Sequence, residues 1–103
     1  MAELRAELPT KEQFSAHVDS TFRASLESGE SMDLHFIRLD PAISNSIQES
    51  FSLMFKAPLD TPPVQNMFRL EHDKLGAMEL FLVPVKQKED CLIFEAVFNR
   101  LLV

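Results

Sequence analysis

His17, His35 and His72 are the only three histidines in the chain. Imidazole is the side chain best suited to act as a general base or a zinc ligand near neutral pH. His72 sits in Glu71-His72-Asp73, so a carboxylate that could orient its ring is close in sequence. On a strand, however, Glu71 and His72 point to opposite faces. A histidine just before a tight turn is well placed to bond the turn backbone, and that structural role is the expected one. As a set, the three lie 18 and 37 residues apart, which matches no recognised metal-ligand spacing. Glu71 and Glu95 are a second constellation, since carboxylates facing each other across neighbouring strands are the equipment of glycosidases. With 16 acidic residues among 103, such pairs arise from density alone, and solvent-facing charge is ordinary on an antiparallel sheet. Cys91 follows Glu89 and Asp90, whose charge discourages a thiolate, so it reads as a small, partly buried residue. Glycine occurs only at positions 29 and 76, too sparsely for a phosphate-binding loop. No catalytic site, metal or cofactor is expected.

The elements that must hold these residues are mostly strands. Residues 1–9 read as a flexible leader, and 10–103 as a single β-rich domain. Thr10 with Gln13 fits the capping box of a short helix running to about His17, with Phe14 and Val18 on its inner face. From Thr21 the apolar period becomes two. Six strands are predicted, over 21–26, 32–39, 51–56, 67–72, 77–85 and 91–98. The adjacent apolar pair Phe36-Ile37 implies a bulge or a strand covered on both sides. Residues 40–50 read as a surface connection with a helical turn near Ile43 and Ile47, because Pro41 cannot donate to a ladder and Ser44-Asn45-Ser46 compete for backbone bonds. Asp73 to Gly76 suits a type I turn. The 77–85 strand is apolar on both faces, which predicts a strand covered on both sides or central in its sheet, and Pro84 marks where its pairing stops. The short turns make pairing mainly antiparallel. The predicted fold is mainly β: a compact antiparallel β-sandwich or partly open barrel of about six strands, with one short N-terminal helix. No repeat of fixed period is visible.

Composition narrows the partners. Ten basic against 16 acidic residues leave a net charge of −6, unsuited to releasing counterions from phosphate, so no nucleic-acid partner is expected. Residues 1–50 carry 4 basic and 9 acidic groups, and the remainder 6 and 7. That acidic bias serves solubility or steers a basic partner. No apolar run approaches the roughly 18 residues of a membrane span. The charged start MAELRAEL does not resemble a signal peptide, and one cysteine forms no internal disulfide. A cytoplasmic location without membrane association is therefore expected. Nine Phe with no Trp or Tyr read as core packing, because Phe lacks the polar handle of sugar-binding aromatics.

Several stretches together form a recognisable pattern: Phe51-Ser52-Leu53-Met54-Phe55-Lys56-Ala57-Pro58, Phe68-Arg69-Leu70-Glu71-His72 with Leu75-Gly76, Leu80-Phe81-Leu82-Val83-Pro84-Val85, and Phe94-Glu95-Ala96-Val97-Phe98-Asn99. With Thr21-Phe22 after a short amphipathic helix, they resemble a family of small bacterial proteins known only as a domain of unknown function. Asp19 stands where that family usually has a tight-turn glycine. The resemblance implies no enzyme activity, and it hints at an accessory of a phage-tail-like or fibre-type bacterial system.

The expected function is a non-enzymatic protein-interaction or assembly module, acting through a protein partner or self-association. Met54 and Met67 fall opposite Phe55 and Phe68, where a solvated sheet would carry polar residues. They join His72 and the apolar terminal residues Leu101, Leu102 and Val103 as candidate interaction residues. The alternative is a small-ligand-binding β-barrel, or a minor enzyme, with a Phe-lined pocket. An exposed apolar patch or edge strand favours the module, and a deep Phe-lined cavity favours the barrel.

Overall fold

Strand alternation buries one side chain in two, and six such strands must bring their apolar faces together. A computed structural model describes residues 7–102 and shows how they do so. Its elements are α1 (Lys11–Ser15), β1 (Thr21–Ser25), β2 (Ser31–Ser44), β3 (Gln48–Pro58), β4 (Asn66–His72), β5 (Gly76–Gln87) and β6 (Cys91–Leu101). All pairings are antiparallel, and the strands form a ring in the order β1-β2-β3-β6-β5-β4, with β4 closing on β1. The fold is mainly β with one short helix, as expected from the sequence, and between the sandwich and the partly open barrel it is a barrel whose ring of strands closes. Residues 1–6 of the expected leader, and Val103, lie outside the described residues.

The interior is filled by phenylalanine. Phe22, Phe36 and Phe55 have ring centroids 5.3–6.0 Å apart, Phe51 and Phe98 stack at 4.8 Å, and Phe68 meets Phe94 at 5.8 Å. The helix brings one further ring. The Thr10 hydroxyl accepts from the Gln13 N–H at 3.1 Å, while Gln13 Oε1 accepts from the Thr10 N–H at 2.9 Å. This capping box starts a single helical turn, shorter than the expected run to His17. It seats Phe14 against Phe36, Phe51 and Phe98 at 5.3–6.4 Å. Thr10→Ala removes the hydroxyl that accepts from the Gln13 N–H, leaves the Thr10 N–H bond to Gln13 Oε1 possible, and is expected to cost about 1 kcal/mol, read as a lower urea midpoint.

The connection expected over residues 40–50 is not one. β2 runs on to Ser44 and β3 begins at Gln48, so the two form one long hairpin. Pro41 is accommodated because the register shifts between it and Ile43, and a bulge removes the need for its missing donor. Asn45 Oδ1 accepts from the N–H groups of Ile47 and Gln48, both at 2.8 Å, and closes the tip. The competing polar residues therefore make a tight turn rather than a loop. The inward face changes at Ile37 through a second register shift, between Phe36 and Arg38.

Pro84 does not end pairing. β5 pairs with β4 through Leu82, then with β6 from Val83 to Gln87, with a register shift after Pro84. The strand changes partner instead of stopping. β5 is central, between β4 and β6, but it is not covered on both sides: Met78, Leu80 and Leu82 are buried, while Phe81 and Val85 are about half exposed.

β1-β2-β3 and β4-β5-β6 are equivalent meanders, and exchanging them leaves the ring order unchanged. Phe22 pairs with Leu34 as Phe68 pairs with Leu80, each 46 residues further on. Pro41 and Pro84, both at register shifts, are 43 apart. The changing offset hides this repeat from a search for a fixed period.

Candidate functional site

His72 ends β4, and its ring sits against Phe22, centroids 4.6 Å apart, and beside His17 at 5.0 Å. Its Nδ1 accepts from the backbone N–H groups of Lys74 and Leu75 at 3.0 and 3.1 Å. An acceptor of two N–H bonds carries no proton, so the proton of the neutral ring is on Nε2. Nε2 lies 2.9 Å from Ser20 Oγ and therefore donates to it, while the Ser20 hydroxyl donates to the His17 carbonyl. A serine–histidine pair of hydrolytic type needs the opposite polarity, with an Nε2 lone pair facing the hydroxyl. The contact is a structural one. Burial first, then the neighbouring His17, lowers the His72 pKa from the ordinary 6.5, with Asp73 acting in the opposite sense.

The other chemical candidates are drawn apart. His35 is not with His17 and His72; its Nε2 lies 3.5 Å from Asp19 Oδ1. Among the described residues no group of three or more His, Cys, Asp or Glu could hold a metal ion. Glu71 on β4 and Glu95 on β6 are not on neighbouring strands, because β5 lies between them. Glu71 sits 3.5 Å from Arg69, and Glu95 is in register with Met54 and Val83. Cys91 is buried with Met54 and Ile93 in a small cluster separate from the main core, with Ile37 packed against it.

That cluster corrects one of the candidate interaction residues. Met54 is only 7% exposed, whereas Met67 is 48% exposed. Both are on the outer face, but Met54 is covered by its apolar neighbours across β2, β3 and β6. Met67 pairs directly with Phe81, itself 49% exposed. The β5–β6 ladder stops at Val83 and Glu95. Continuing its register by two residues sets Phe81 opposite Val97, which is 68% exposed. Phe81 and Val97 line one depression, together with Leu8 and Asn99. The result is an exposed apolar row, Met67–Phe81–Val97, running across the open seam between β5 and β6. Sequence reading missed Phe81 and Val97 as surface residues. The available signal for Val97 was alternation alone: Leu92, Phe94, Ala96 and Phe98 face inward, so Val97 faces outward.

Leu101 and Leu102 are exposed and lie at the tip of the β2–β3 hairpin, where the Leu102 N–H donates to the Ile47 carbonyl at 2.8 Å. Ile43 and Ile47 are exposed at the same tip. Val103 lies outside the described residues.

A family model matches residues 9–98, from the residue before the α1 cap to Phe98 on β6. The chain belongs to the family described as Domain of unknown function (DUF6916). No curated protein and no solved structure matches it. Within this DUF6916 domain, Asp19 has φ +73°, the only non-glycine residue at positive φ among those described. The left-handed turn before β1 is thus made by Asp, which tolerates that conformation better than most residues. No helix of the described residues in the DUF6916 domain is long and apolar enough to cross a membrane.

Proposed function

We propose that the domain is a non-enzymatic interaction module that docks a partner protein on the Met67–Phe81–Val97 row. The observation that carries this reading is the exposure of three adjacent apolar side chains where strand alternation ordinarily places polar ones. The Phe-packed interior and the polarity of the Ser20–His72 bond support it over a ligand-binding barrel or a minor enzyme. Glu79 and Glu95 flank the row on β5 and β6, within a chain of net charge −6. A partner with apolar contacts ringed by basic side chains complements this face, while a second copy would bring like charge. An accessory role in a phage-tail-like or fibre-type bacterial system rests on the sequence resemblance alone. A cytoplasmic setting is part of the same proposal.

The test pairs identification with reconstitution. Partners captured from the native host by the tagged chain are identified, purified and titrated against wild type and the double variant Met67→Lys/Val97→Lys. Both substituted side chains are exposed, so the variant should keep its circular dichroism spectrum and urea midpoint. Its affinity should fall at least about tenfold, a loss of about 1.4 kcal/mol, and wild-type binding should weaken with added salt. Direct binding unaffected by the two lysines would overturn the docking face. Concentration-dependent self-association without a partner would replace the basic partner with a second copy. A small molecule that co-purifies with a strictly monomeric protein would favour the ligand-binding barrel.

A further inference from the structure

We infer that the Ser20–His72 corner is an acid-sensitive latch. Uptake of one proton at His72 Nδ1 releases the β4–β5 turn and loosens the connection between α1 and β1. The geometry carries this independently of the docking proposal. Both ring nitrogens are committed: Nδ1 accepts from Lys74 and Leu75, and Nε2–H donates to Ser20 Oγ, which in turn donates to the His17 carbonyl. One imidazole therefore joins the turn after β4 to the chain segment that follows α1. A proton arriving at Nδ1 would convert the acceptor into a donor facing two N–H groups. Those bonds cannot persist, and the turn must move away or rotate the ring, which also breaks the Ser20 bond.

The titratable groups acting on the ring are few. His17 faces it from the α1–β1 connection, and its charge disfavours a proton on His72. Asp73, in the adjoining turn, favours one. Phe22 of β1 packs against the ring and brings no charge. Glu71, the preceding residue, is turned to the other face and lies beside Arg69. Burial is the largest of these influences, so the folded chain holds a proton at His72 less readily than the unfolded chain does. The sign follows. Stability from the latch is fully present above pH 6.5, the ordinary histidine value, and is lost as pH falls from there through the lower folded value.

The experiment is a pH titration by NMR from 7.5 to 4.5. Side-chain nitrogen shifts report the tautomer and titration of His72, and amide exchange reports the turn. At pH 7.5 His72 should be the neutral ring protonated on Nε2, and it should titrate below 6.5. The protection factors of the Lys74 and Leu75 amides should fall about tenfold for each pH unit by which the His72 pKa is lowered. His72→Asn keeps an acceptor near the turn without a titrating proton, so its turn should stay protected across the same range. Titration of His72 at or above 6.5, or a turn that remains protected throughout that titration, would overturn the latch. So would an equal acid response in His72→Asn. If that variant fails to fold, the wild-type tautomer and exchange data alone decide.

Discussion

Phe22→Ala is expected to lower stability by about 3–5 kcal/mol, the range for truncating a fully buried phenylalanine. Phe22 has no exposed surface. Its ring meets Phe55 at 5.4 Å, Phe36 at 6.0 Å and His72 at 4.6 Å. The cavity left by the ring could shrink only if neighbouring strands moved inward. They are held by ladders on both sides, since β1 pairs with β2 and also with β4. The loss should therefore fall toward the upper part of the range, because partial collapse is what moderates such substitutions. Urea denaturation should show a lower midpoint with an unchanged slope. A loss below about 1 kcal/mol, the level of an ordinary substitution, would mean that the ring does not occupy the barrel interior.

Met54→Glu is expected to cost about 3 kcal/mol, through a carboxylate forced into a covered apolar site where the cation across the β2–β3 ladder, Arg38, is already held by Asp40 at 2.9 Å. Met54 is in register with Glu95 and packs with Cys91 and Ile93. A glutamate there would lose hydration and face a like charge directly across the ladder, and both effects are unfavourable. Met67→Glu provides the contrast. That side chain is half exposed and opposite Phe81, so its replacement should change stability by no more than about 1 kcal/mol, the span of strand propensities. Side-by-side thermal or urea melts give the comparison. Equal effects at the two positions would remove the distinction between a covered and an open outer face.

The six strands were legible because alternation is a local property: Phe22, Ala24, Phe68, Leu70, Phe94 and Ala96 announce their inward faces in sequence. The helix start was legible for the same reason, since Thr10 and Gln13 satisfy each other within one turn. What escaped depended on partners distant in sequence. Pro41 and Pro84 read as interruptions, yet each sits at a shift in register that only the neighbouring strand reveals. Phe81, Val83 and Val85 suggested a two-sided strand, but β5 divides its pairing between β4 and β6, and its outer face stays open beside the seam. Met54 and Met67 share the same outward parity. The difference in their burial comes from Cys91 and Ile93 on β6, which cover one and not the other. The role of His72 toward its turn could be read locally, whereas Ser20, 52 residues away, could not.

The two equivalent meanders have a consequence for how copies of the chain relate. They are joined in sequence only by residues 59–65, which include Pro62 and Pro63 and directly follow Pro58. The other ties between them include the β3–β6 and β1–β4 ladders, side-chain bonds such as Ser20–His72 and Gln48–Asn99, and contacts in the shared core. If that short connection straightened, β4-β5-β6 of one chain could occupy the same place in a second chain, with every ladder retained. A monomer and an exchanged dimer would then differ at a single stretch of backbone. Prolines hold that stretch stiff, so the conformation of seven residues decides whether the barrel closes on itself or by domain swapping with a twin.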